Sequence, residues 1–388
     1  MHVLPWFHIH FLLNLSPTSK AMTKVKPFQS RTNSQTANAV VSSSSRIHYL
    51  DLLRSIAIVL VVALHTYQRV PDAFQGRYFL GMGVPLFLII SGSLVIPRAD
   101  KMGIKEFYGR YSKRLIQFVV LIPICGIITN ALVWYCMGEN LTLPAANAIP
   151  SKSEYIRAGS FPILSAFVKS TMEANGIFPN PLTTAQSHTW YLYFITGLYI
   201  AAPYISRMLR SLSTKQSYLL CALCLLAGYP AAHSLIPILH AFNIKSSLFF
   251  ILGFVIICRS EYDSSPTLHK LILILGASTI GWDYLYGKCI ALATLEHFRI
   301  PLACVALTIF CKNYLHKIKH LFITSLSECS FGIYLWHFAC LWLCSIFLPT
   351  DESSSLTMFI QFFTISLVFP WLLTLGLRRL PYLKWLVC

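Results

Sequence analysis

Charge is scarce in this chain, and negative charge is scarcest. Of 388 residues only 12% are charged, with 14 Asp and Glu against 31 Lys and Arg. A soluble domain carries about 25% charged residues, so an ordinary water-soluble fold is excluded. The excess of basic residues does not mark a nucleic-acid binder, because they fall in short loops between apolar runs, where positive-inside bias accounts for them. Strict alternation of apolar and polar residues is also missing, which excludes a β-barrel. The chain has no GxSxG elbow, no GxxxxGK[ST] loop and no HExxH helix, which argues against lipase-like, P-loop and zincin chemistry. Twelve cysteines are present, but they lie mostly inside apolar runs. Cys221 and Cys224 form a CxxC without a second pair at zinc spacing, so the cysteines read as packing residues.

What the chain has in abundance is apolar length. Runs near 20 residues recur, each able to cross a ~30 Å hydrocarbon core. The fold class expected is all-α, a polytopic membrane protein with about ten transmembrane helices. The segments are 50–68, 79–97, 115–136, 189–205, 217–237, 246–258, 269–287, 298–311, 322–348 and 356–377. Alternating sides from a cytoplasmic start puts most of the Lys and Arg on the cytoplasmic face. Both termini then lie inside and the inner membrane is the expected location. Residues 1–45 divide into an apolar patch and a Ser/Thr/Asn/Gln-rich tail that reads as disordered and cytoplasmic, with Met22 as an alternative start. Residues 46–380 form the membrane domain. A long outer connection, about 137–188, is of a length that is usually functional or disordered.

Inside the first span, "LDLLRSIAIVLVVALHTY" (50–67) carries Asp51, Arg54 and His65. A charge at membrane depth costs at least ~2.5–3.5 kcal/mol on insertion scales and is usually functional. At about 100° per residue, Arg54 and His65 return to within roughly 20° of each other, and Asp51 lies one turn before Arg54 on the same side. The stripe is open to two readings: a helix-end ion pair with an interfacial histidine, or a path on which Arg54 handles an anionic donor and His65 acts as general base. An imidazole with an unperturbed pKa of ~6.5 suits the second role.

The same stretch resembles the first helix of the acyltransferase family 3 membrane proteins, including their Arg/Lys-x10-His pattern. "GVPLFLIISGSLV" (83–95) resembles the family's second helix, "HTWYLYFITGLYIAAPYI" (188–205) its "HLWFLY…GLYL…P" segment, and "SFGIYLWH" (330–337) its late "SFGIYLIH" helix. The four matches occur in family order, and in length and layout the enterobacterial common antigen O-acetyltransferase branch looks nearest. The resemblance implies transfer of an acyl group, usually acetyl, from acyl-CoA to a hydroxyl of an extracytoplasmic polysaccharide such as lipopolysaccharide, or of a lipid-linked saccharide. Acetyl-CoA would be a co-substrate, with no tightly bound cofactor, no metal and no nucleic acid. Catalytic roles fall on His65 and Arg54, with Asp51 fixing Arg54.

Other constellations keep two readings. Arg110, Lys113 and Arg114 are either positive-inside decoration or donor-binding residues for CoA phosphates; the family often shows Arg-x-x-Arg here, and this chain has Arg110-x-x-Lys113. His188 and Trp190 are an interfacial anchor or an acceptor site. Tyr334 and His337, three apart, share a helix face, where the histidine is a buried, hydrogen-bonded residue or both are part of a cavity lining. Glu328 and Asp283 are intramembrane acids in need of partners. Gly81, Gly83, Pro85 and Gly92 interrupt the second span, as backbone does where it lines a cavity or packs closely. The rival function is a multi-span transporter or flippase that uses Asp51, Arg54 and His65 as an ion relay.

Overall fold

A computed structural model describes residues 46–70, 73, 77–137, 190–227, 244–258, 270–279, 293–348 and 354–387. The N-terminal segment, most of the long connection, His188 and Asp283 lie outside the described residues. Within them the chain is helical, and no strand occurs.

In chain order the helices are α1 (His48–Arg69), α2 (Gly83–Lys101, preceded by a 3-10 turn at Arg77–Met82), α3 (Ile104–Met137), α4 (Trp190–Ser211), α5 (Thr214–Ala227) and α6 (Ile244–Cys258). They continue with α7 (Lys270–Thr279), α8 (Ala293–Tyr314), α9 (Leu321–Phe347), α10 (Ser355–Arg379) and the short α11 (Lys384–Val387). The first ten overlap the ten apolar segments one for one. Among the described residues, three stretches are long and apolar enough to cross a membrane: His48–Arg69, Phe79–Lys101 and Ser355–Arg379.

Local chemistry sets several ends. Asp51 in the first turn of α1 and Arg69 in its last complement the helix dipole. The Ser354 hydroxyl caps α10 by accepting from the Thr357 N–H at 3.3 Å, and His320 caps α9 in the same way through Phe322. The third helix begins eleven residues before its apolar segment. That leading stretch is polar but still helical, and it buries Phe107.

The core centres on α2 and α9. The second helix packs on α1, α4 and α6, while α9 packs on α1, α3 and α10. Helix α11 folds back onto α10, α9 and α3. The glycines of the second span serve close packing. A Cβ on Gly92 would overlap the Phe250 carbonyl, and one on Gly253 would overlap that of Ile89, so α2 and α6 approach backbone to backbone. Gly92→Ala is therefore expected to destabilise the bundle by about 1–3 kcal/mol through overpacking, seen as a lower melting temperature in detergent. A similar melting temperature would show that α2 and α6 can separate at little cost.

Polar ends of sequence-distant helices meet. Arg46 before α1 pairs with Glu328 of α9, which also takes Arg378 Nη2 of α10 at 2.7 Å. Arg210 at the end of α4 donates to Asp100 at the end of α2 at 2.7 Å. Alternating topology requires these ends to share a face. Cys221, Cys224, Cys258, Cys304, Cys311, Cys329, Cys340 and Cys344 are free thiols.

Candidate functional site

The stripe on α1 faces α9 along its length. Near the start, Arg54 Nη1 donates to Ser327 Oγ at 3.2 Å, and Ser327 Oγ in turn donates to Asp51 Oδ1 at 2.8 Å. Direct contact between Arg54 and Asp51 is longer, 3.5 Å. Asp51 is buried and pairs mainly with Arg46. Its carboxylate holds the Arg46 guanidinium above the ordinary arginine pKa, with Glu328 adding to the effect against the cost of burial. Asp51 thus fixes Arg54 largely through Ser327. Among the described residues no acceptor takes the protons of Arg54 Nε and Nη2, which leaves them for an anion or carbonyl.

Arg54 borders a cavity of about 340 Å³ between α1, α2, α3, α4 and α9, with Val387 of α11 among its lining. Arg54 and Glu328 mark its accessible end, with 29% and 34% of their side-chain surface exposed. Arg114 lines it from α3. Its guanidinium lies over the Phe118 and Phe331 rings at 4.8 and 4.7 Å, and Nη1 donates to Gln117 Oε1 at 2.9 Å. Phe87, Tyr191, Tyr199 and Tyr334 supply aromatic walls. The pocket is thus apolar with a few convergent donors, the usual build of a small-molecule site.

His65 lies further along α1, ~16 Å from Arg54 at 1.5 Å per residue, and it does not line this cavity. Its ring faces His337 with centroids 5.3 Å apart and meets the edge of Phe338 at 5.0 Å. Gln68 Oε1 is 2.9 Å from His65 Nδ1; with the amide oxygen accepting, Nε2 is the basic nitrogen. His337 Nδ1 donates to the carbonyls of Tyr334 and Ile333 at 2.8 and 3.1 Å, which likewise makes Nε2 the basic nitrogen of the neutral ring. Beyond His65, the Arg69 guanidinium stacks on Trp342 at 3.8 Å.

The expected residues therefore divide. Arg54, Arg114 and Tyr334 share the cavity, with Asp51 behind Arg54, while His65 and His337 pair beyond it. Arg110 is exposed and pairs with Glu106 at 3.7 Å, and Lys113 is exposed; neither lines the cavity. The backbone of Trp190 opens α4. Sequence reasoning missed Ser327, Gln68 and Arg46, while Tyr191, weighed with Trp190 as a sugar-stacking residue, lines the cavity. The run "SLSECS" (325–330) in an otherwise apolar helix was a usable signal for the first.

The described helices, apolar enough to mark a membrane protein, set a cavity lined by two arginines and several aromatic rings near a pair of histidines. A family model described as an acyltransferase domain matches residues 47–375, so the chain belongs to acyltransferase family 3 and is a membrane acyltransferase with an acyl donor and an acceptor. No curated protein and no solved structure matches it.

Proposed function

We propose that this acyltransferase moves an acetyl or other short acyl group from acyl-CoA to a hydroxyl of a cell-envelope polysaccharide or glycolipid. The observation that carries this reading is the single line of side chains from Arg54 and Arg114 in the cavity, past Tyr334, to His337 and His65. The cavity is too small for a whole CoA, so it takes the pantetheine arm and acyl end, while the nucleotide stays at the accessible end. Arg54, which lines the cavity, orients the donor. His65 Nε2 removes the proton from an acceptor hydroxyl, whose oxygen attacks the thioester carbonyl. The C–S bond breaks, and the proton returns from His65 to the departing thiolate. We further propose ten crossings, both termini cytoplasmic, and an inner-membrane location, with residues 1–45 outside the bilayer. The resemblance to the enterobacterial common antigen branch favours an envelope glycan as acceptor.

The test is acyl labelling of envelope glycans from radiolabelled acetyl-CoA, with membranes that contain or lack the protein. Label in the glycan fraction only when the protein is present is the expected result. Equal labelling in both would remove the reading.

A further inference from the structure

The rise of α1 between Arg54 and His65 is lined by rings in mutual contact. Tyr191 and Tyr334, both cavity-lining and 8% and 3% exposed, lie edge to face with centroids 5.6 Å apart. Tyr334 to His337 is 5.9 Å, and His337 to His65 is 5.3 Å. Centroid distances of 4.5–7 Å are those of interacting ring pairs, so these side chains form one continuous row of rings from the cavity to His65. His337, at 0% exposure, is a fixed backing, because its Nδ1–H is held by the carbonyls of Ile333 and Tyr334. Among the described residues, Tyr334 both lines the cavity and makes ring contact with His337.

We infer that Tyr334 is the partition that keeps water on the histidine side off a thioester lodged in the cavity, and so makes the enzyme a transferase rather than a thioesterase. This rests on the proposed acyl-CoA reading. The base that deprotonates a sugar hydroxyl would equally deprotonate water. Water oxygen would then attack the thioester carbonyl, the C–S bond would break, and a free carboxylic acid and CoA thiol would form. Water outnumbers any sugar hydroxyl, so transfer depends on excluding it until the acceptor is seated. Gln68 and Arg69 stand on the histidine side and Arg54 and Arg114 on the cavity side, and among the described residues the ring of Tyr334 stands between the two groups. Rotation of that one side chain, once an acceptor occupies the His65 side, joins the two sides.

The test measures CoA thiol release from acetyl-CoA by purified protein, with and without an envelope polysaccharide preparation, alongside acetyl-CoA binding. Wild type is expected to release CoA only with the polysaccharide. Tyr334→Ala is expected to release it without polysaccharide at least tenfold faster than wild type, while Tyr334→Phe, which keeps the ring, stays tight. Where the alanine variant fails to fold, Tyr334→Leu carries the same expectation. A folded variant that binds acetyl-CoA and shows acceptor-free release no faster than wild type overturns the partition. Wild type that binds no acetyl-CoA overturns the acyl-CoA reading, and the partition with it. Normal wild-type transfer with no leak in either variant overturns the partition alone.

Discussion

His65→Ala is expected to lower acyl transfer by about 10²–10⁴-fold, the usual worth of a positioned general base, while expression and membrane insertion persist. The imidazole is half-buried, touches His337 and Phe338, and hydrogen-bonds with the exposed Gln68. Acetyl-CoA binding should also survive, because His65 lies outside the cavity that holds Arg54 and Arg114. The measurement is single-turnover transfer beside equilibrium donor binding. A loss confined to the chemical step identifies the base; near-normal turnover would make His65 structural and move the search to His337.

The same geometry explains which parts of the site were legible in the sequence. Asp51, Arg54 and His65 sit on one helix, so helical periodicity alone gathers them on one side. Their partners are another matter. Ser327, Glu328 and His337 reach α1 from about 270 residues away, and non-local contacts between two apolar helices leave no periodic trace in either. Glu328 could be recognised as an acid lacking a partner, but not as the acceptor shared by Arg46 and Arg378. The early start of α3 was hidden because hydropathy registers membrane depth rather than helicity. Residues 104–114 are too polar to enter a bilayer, yet an Arg110–Glu106 pair and buried Phe107 are compatible with a helix there. The glycines of the second span were compatible with a cavity or with close packing, and only the facing carbonyl of Phe250 decides for packing at Gly92.

That early start of α3 also divides the basic cluster, which gives the second large effect. Arg114 enters the cavity, whereas Arg110 and Lys113 stay exposed within the preceding turn. Arg114→Gln is expected to weaken acetyl-CoA binding by roughly 10–100-fold, since a hydrogen bond from a charged group is worth about 1.5–3 kcal/mol. The loss should persist at high salt, because the guanidinium is shielded between Phe118 and Phe331. If Arg110 and Lys113 meet the CoA phosphates that the cavity cannot hold, replacing both with Gln should weaken binding only several-fold. That loss should fade as salt shortens the Debye length from ~10 Å at 0.1 M to ~3 Å at 1 M. Binding measured in detergent, where orientation across a bilayer no longer matters, separates donor contact from topogenic charge. Unaltered affinity in the Arg114→Gln variant would remove the donor from this cavity. Unaltered affinity at low salt in the double variant would leave Arg110 and Lys113 the topogenic role alone.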